Sequence, residues 1–194
     1  AHGGSGVNAV FTYLSQARDL WTPGTYYTGR GHIPVLGTDQ AASHSVDSPD
    51  ATYWTAIEPA AFSIGLWVNP TSVASVPQLM AKYKSSAVTA REWRLRLSGG
   101  AVQMELYDES AAVAVTRLVD TALPRGRLVF VAMTYSGVGG ASAANGITMY
   151  QDGVVIASTA TNNASYVAME NLTPAVELYR EVAGAVLSAY IAGG

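Results

Sequence analysis

The chain reads as an all-β protein, a sandwich of two antiparallel sheets. Three observations predict it. Short apolar runs rich in Val, Tyr, Ile and Leu, often alternating, lie between turn signals. The 19 glycines and 8 prolines are scattered along the chain rather than pooled in one linker. Helical signals are weak: Asn8 to Leu20 is the one helix-like stretch, and its aromatic, β-branched start reads equally well as a strand and turn. With 194 residues the chain can bury a substantial core. No composition shift or repeat marks a second domain. Residues 1–6 are expected to form a flexible tail and 7–194 a single domain.

The elements follow in chain order. Phe62 to Val68 alternates, with Phe62, Ile64, Leu66 and Val68 on one face and Ser63, Gly65 and Trp67 on the other, and ends at Asn69-Pro70. Next comes a hairpin, Trp93 to Tyr107, turning at Gly99-Gly100, where both positions can take positive φ. Pairing Ser98 with Ala101 sets Leu97 opposite Val102, Leu95 opposite Met104 and Trp93 opposite Leu106, all on one face. The other face pairs Arg96 with Gln103, Arg94 with Glu105 and Glu92 with Tyr107. A slip of one residue would mix the faces, so the pattern itself selects the register. The Arg94–Glu105 pair is expected to be solvent-exposed.

Leu128 to Tyr135 is nearly all apolar, as expected of a central strand covered on both sides. Gly137 to Gly146 reads as a loop. Asp152-Gly153 between alternating apolar residues predicts a second hairpin, Ile147 to Ser158, with Met149 facing Ile156 and Tyr150 facing Val155.

Composition excludes several functions. Charged residues are only 13% and hydrophobic ones 49%, the opposite of a disordered chain. A formal charge of −3, with two lysines, nine arginines and no basic run, gives no basis for capture of nucleic acid or anionic lipid. No apolar run is long enough to cross a bilayer as a helix. Without cysteine there is no disulfide framework, thiolate metal site or cysteine nucleophile.

Three segments together carry a family resemblance: Phe62 to Ser72 (FSIGLWVNPTS), Leu128 to Tyr135 (LVFVAMTY) and Ile147 to Ser158 (ITMYQDGVVIAS). They resemble the laminin-G-like branch of the concanavalin A-like lectin/glucanase superfamily over roughly residues 35–192. In that family they form an apolar strand ending in Trp-Val-x-Pro, a central Val-Ala-x-Thr-Tyr strand and a Tyr-x-Asp-Gly hairpin. The resemblance implies a concanavalin A-like jelly roll, often used to bind glycans. Gln151 departs from the apolar residue usual before Asp-Gly, and Phe130 stands where His is common. The family generally has one more strand after the position of Tyr190-Ile191. The domain is therefore expected to lack its final strand. A sheet edge is then expected to be completed by Val7 to Leu14, by a neighbouring subunit or by a separate chain.

Candidate chemistry is sparse. Glycosidases of the superfamily use alternating carboxylates on one strand. Here Tyr107 interrupts the Glu105/Glu109 alternation and Asp108 has the opposite parity, so a solvated edge pair plus an acidic turn is expected instead of a catalytic pair. His2, His32 and His44 lack ligand spacing. Asp39, Asp47 and Asp50 cluster in one expected loop and are weak calcium candidates. Asn163-Ala164-Ser165 and Asn171-Leu172-Thr173 fit the N-glycosylation pattern.

Aromatic and planar polar residues off the core parity are the best ligand candidates: Trp67, Tyr107 and Tyr150, with Arg94 and Arg96. The expected function is a non-catalytic recognition or adhesion module of a secreted, cell-surface or virion protein, binding carbohydrate. The alternative is a structural decoration or assembly domain contacting protein, and a third, weak reading is a glycosidase. No cofactor is required on this reading, with calcium as an option, and no nucleic acid or inserted membrane is expected as partner.

Overall fold

The computed structural model describes residues 60–70, 78–84 and 90–178 in full, and 10–11, 21–22, 35–38, 46–48 and 189–192 by their backbone pairing. The strands are β1 (Val10–Phe11), β2 (Trp21–Thr22), β3 (Val35–Thr38), β4 (Val46–Ser48), β5 (Phe62–Pro70), β6 (Gln78–Tyr83), β7 (Arg91–Ser98) and β8 (Ala101–Asp108). They continue as β9 (Val113–Val119), β10 (Val129–Tyr135), β11 (Ile147–Gln151), β12 (Val154–Val155), β13 (Ser158–Thr161), β14 (Val176–Leu178) and β15 (Ala189–Ala192). They form an eight-stranded sheet, β1-β4-β14-β6-β7-β8-β9-β13, and a seven-stranded sheet, β12-β11-β10-β5-β15-β3-β2, with antiparallel pairing.

The core lies between the sheets, where alternate residues of each strand meet. Trp93, Leu95, Met104 and Leu106 of one sheet and Val68, Val129 and Met133 of the other are fully buried. Phe62 bridges them, its ring 6.0 Å from Trp93 and 5.8 Å from Tyr135. The β7–β8 register is the one the alternation selects, from Trp93 opposite Leu106 to Ser98 opposite Ala101. Gly99 and Gly100 take φ of 58° and 84°, which is why two glycines stand there.

Several expectations are corrected. Glu92 does not continue the polar face opposite Tyr107. The β6–β7 ladder shifts register between Lys82, opposite Trp93, and Tyr83, opposite Arg91, leaving Glu92 as an extra residue in a bulge. Its carboxylate instead meets the Lys82 ammonium at 2.9 Å, both side chains fully buried. Strand β10 is central but not covered on both sides: Phe130, Ala132 and Thr134 are only half-buried. The second hairpin turns at Asp152-Gly153 and pairs Tyr150 with Val155, but its return strand is short. After Ile156 the chain crosses to the other sheet, where Ser158–Thr161 pairs with β9. The stretch 137–146 holds one turn of 3₁₀ helix, Ala143–Gly146, whose Ala143 and Ala144 are buried. Asp47 is not in a loop: it lies on β4, opposite Glu177. Within the segment expected to complete a sheet edge, Val10–Phe11 pairs with β4 at the edge of the eight-stranded sheet.

Residues 162–175 form no strand and cross one end of the sandwich as a strap. Tyr166 and Met169 plug into the core. The Val167 carbonyl accepts from Gly140 N–H at 2.6 Å. Leu172 donates its N–H to Glu92 at 2.7 Å and accepts from Lys82 Nζ at 3.2 Å.

Candidate functional site

The outer face of the eight-stranded sheet carries an array of paired polar and aromatic side chains. One cross-strand row runs through Glu177, Ala81, Arg94, Glu105 and Thr116. A neighbouring row runs through Gln78, Arg96, Gln103 and Leu118. The period of two along β7 and β8 sends these residues outward as it sends Leu95 and Met104 inward.

Glu105 is the hub. Its Oε1 lies 2.9 Å from Arg94 Nη2, and its Oε2 accepts from Arg94 at 3.1 Å and Arg96 at 3.2 Å. The Tyr83 phenol lies near it, and burial first, then the Glu105 charge, pushes that phenol well above its usual range. Arg96 Nε donates to Gln103 Oε1 at 2.7 Å. The tyrosines clamp the guanidinium planes: Arg94 stacks over Tyr83 at 4.1 Å and Arg91 over Tyr107 at 4.2 Å. The two rings meet edge-on at 6.0 Å. Arg91 also binds Glu109 bidentately, at 2.9 and 2.5 Å, and this hydrogen bonding raises its already high pKa.

The expectation of an exposed ion pair and a solvated acidic turn is therefore corrected. Strand β8 is interior to the sheet, and the Arg94 and Glu105 side chains are 13% and 6% exposed. Asp108 and Glu109 are buried as well. Burial alone would raise the Asp108 pKa. Hydrogen bonds from the Ala111, Val167 and Ala168 N–H groups and the Ser110 hydroxyl outweigh it and hold the carboxyl below its ordinary 3.8.

The five predicted ligand residues do not share one face. Arg94, Arg96 and Tyr107 belong to the array just described. Trp67 on β5 and Tyr150 on β11 stand on the outer face of the other sheet, on the far side of the core. There Trp67 is 38% exposed and packs against Phe130 at 5.2 Å, with the rings tilted by 51°. Sequence reasoning passed over Tyr83, Arg91, Gln103, Arg127 and Asp152. Tyr83 had no visible strand partner, because its contact with Arg91 depends on the bulge.

Among the described residues no group of three or more His, Cys, Asp or Glu is placed to hold a metal ion. Asp39, Asp50 and the three histidines lie outside the described residues, so the calcium candidates are represented only by the backbone position of Asp47. Among the described residues no helix is long and apolar enough to cross a membrane.

A family model described as the concanavalin A-like lectin/glucanases superfamily (Laminin_G_3) matches residues 37–175. No curated protein matches the sequence. Among solved structures, the binding domain of Paraclostridial Mosquitocidal Protein 1 superposes with a TM-score of 0.61 at 12% identity, over 97% of this chain and 42% of that one. The binding domain of botulinum neurotoxin DC in complex with SialylT gives 0.56 at 12%, over 96% and 42%. The Ruminococcus gnavus IT-sialidase CBM40 bound to α2,3-sialyllactose gives 0.52 at 16%, over 81% and 89%. The chain thus spans less than half of the toxin domains it resembles and most of the CBM40. At these identities the likeness establishes the fold.

Proposed function

The chain belongs to the concanavalin A-like lectin/glucanase superfamily, and from that premise we propose that it is a non-catalytic carbohydrate-binding module of a secreted, cell-surface or virion protein. The observation that carries the reading is the convergence of Arg94 and Arg96 on Glu105 beside the Tyr83/Tyr107 pair. These planar donors and acceptors are fixed before any ligand arrives, which lowers the ordering cost of binding. Arg96 and Arg91 are the most accessible charged members, with side chains 20% and 22% exposed. Sialylated oligosaccharides are the class to test first: guanidinium groups suit a sugar carboxylate, and two of the fold relatives are complexes with SialylT and sialyllactose.

The same geometry supports a non-enzymatic reading. Glycoside hydrolysis needs one carboxyl kept protonated near neutral pH. Glu105 accepts from two guanidinium groups and Glu109 from one, and Asp108 is held in its ionised form.

The test is a glycan array probed with the wild-type chain and Arg96→Ala, with and without calcium. Sialylated glycans should bind the wild type, and Arg96→Ala should weaken them at least tenfold. No signal on the array with either buffer would refute the reading. Loss of binding on chelation would restore the calcium candidates Asp39, Asp47 and Asp50.

A further inference from the structure

The outer face of the seven-stranded sheet has a different chemistry, laid out over β10, β11 and the part of β5 that pairs with β10 in three cross-strand rows. Trp67 and Phe130 form the first, which ends at Asp152: the Phe130 N–H donates to Asp152 Oδ1 at 2.9 Å, and the Asp152 N–H to the Phe130 carbonyl at 2.8 Å. The middle row is Gly65, Ala132, Tyr150 and Val155. The third is hydroxylic: Ser63, Thr134 and Thr148. Rows on one face repeat every two residues, about 7 Å apart.

Two features make this more than an uncovered apolar surface. The middle row is small where it passes the aromatics, and this is enforced. A Cβ at Gly65 would come within 2.8 Å of Phe130 Cζ, so the ring reaches over the glycine and a side chain there would have to displace it. The aromatic row also ends in a polar pair. Arg127 Nη1 and Nη2 reach Asp152 Oδ2 at 3.2 and 3.3 Å, with side chains 51% and 39% exposed. Asp152 stands at φ 51° in the tight turn, so its carboxylate is fixed by backbone as well as by Arg127. This pair sums to zero charge, and the described residues of the three rows include no other charged side chain.

We propose that this face is a second glycan subsite, independent of the Arg94/Arg96 array, that takes an uncharged oligosaccharide. One pyranose ring lays its C–H face on Trp67, its hydroxyls meet Arg127 and Asp152, and the chain of sugars runs across Ala132 toward the hydroxylic row. Exposed indole provides the stacking surface. A half-exposed guanidinium donor beside a carboxylate acceptor can serve neighbouring sugar hydroxyls. Among the described residues of these rows and the pair that ends the first, the charges of Arg127 and Asp152 cancel, so nothing there offers an acidic ligand an excess of positive charge.

The experiment is isothermal titration of cellohexaose, xylohexaose and mannohexaose into the wild type, Trp67→Ala, Arg127→Ala and Arg96→Ala. At least one hexasaccharide should bind the wild type. Trp67→Ala should weaken it about tenfold or more and Arg127→Ala about three- to tenfold, while Arg96→Ala binds as wild type. Arg127 is half-exposed, so its variant tests the site even if Trp67→Ala fails to fold. The proposal is overturned if no hexasaccharide binds, or if Arg127→Ala and a folded Trp67→Ala bind as the wild type does. It is overturned equally if Arg96→Ala alone abolishes binding, because the neutral sugar would then occupy the other face.

Discussion

Lys82 and Glu92 are an ion pair with neither side chain exposed, and the cost of removing both charges from water is offset only because each has other partners. The Leu172 N–H and carbonyl supply them, so the pair fastens the strap to the sheet. Lys82→Met strands a buried carboxylate and should destabilise the fold by about 3–5 kcal/mol. Adding Glu92→Gln removes that charge while keeping an acceptor for Leu172, so the double variant should recover most of the loss in urea unfolding. A double variant no better than Lys82→Met would show that the pair is not the anchor. Asp108 fastens the other end of the strap, through Val167 N–H at 2.8 Å, and ties its own turn through Ala111 N–H at 2.9 Å. Because its carboxyl ionises below the unfolded value, its stabilisation is fully present above about pH 4. It is lost as pH falls through the lowered folded value. Asp108→Ala should therefore cost about 2–3 kcal/mol at pH 7 and less at an acid pH where the folded carboxyl has taken up its proton. Unfolding curves for variant and wild type that stay equally far apart at both pH values would contradict this.

At the level of elements, the β7–β8 hairpin shows what alternation conveys and where it stops. Trp93, Leu95, Leu97 and Val102, Met104, Leu106 could be set opposite one another from the sequence because only one register puts all six on the same face. Leu95 is fully buried, and Leu95→Ala should cost about 2–5 kcal/mol by the lost transfer energy and the cavity. A loss below 1 kcal/mol would mean that the sheet closes over the gap. The bulge at Glu92 was not legible, because Arg91 and Glu92 are both polar and the alternation simply lapses there, as it also does where a strand ends. Tyr83 and Arg91 become neighbours only after that shift. The crossing of the chain from β12 to β13 was equally hidden. Val154 to Ser158 keeps strand composition throughout, while the change of sheet is set by what each half pairs with.

At the scale of the molecule, parity tells which residues leave the core but not which of two outer faces they leave by. Trp67 and Tyr150 gave the same signal as Arg94 and Tyr107, and the topology sends them to opposite sides. The two groups are separated by both backbones and the core, a thickness of about 10 Å between sheets. Trp67 touches Phe130, whereas Arg96 touches Glu105 and Gln103. Side chains this far apart without common partners act independently on stability, to within about 0.5 kcal/mol. The unfolding free energy lost in Trp67→Ala/Arg96→Ala should therefore equal the sum of the two single losses within that margin. Arg94→Ala combined with Arg96→Ala should instead depart from additivity, by about 1 kcal/mol or more, because both guanidinium groups share the Glu105 carboxylate. Urea titration of the five variants decides the matter. Coupling between Trp67 and Arg96 as large as that between Arg94 and Arg96 would mean that strain passes through the core. The two faces could then not be treated as separate surfaces.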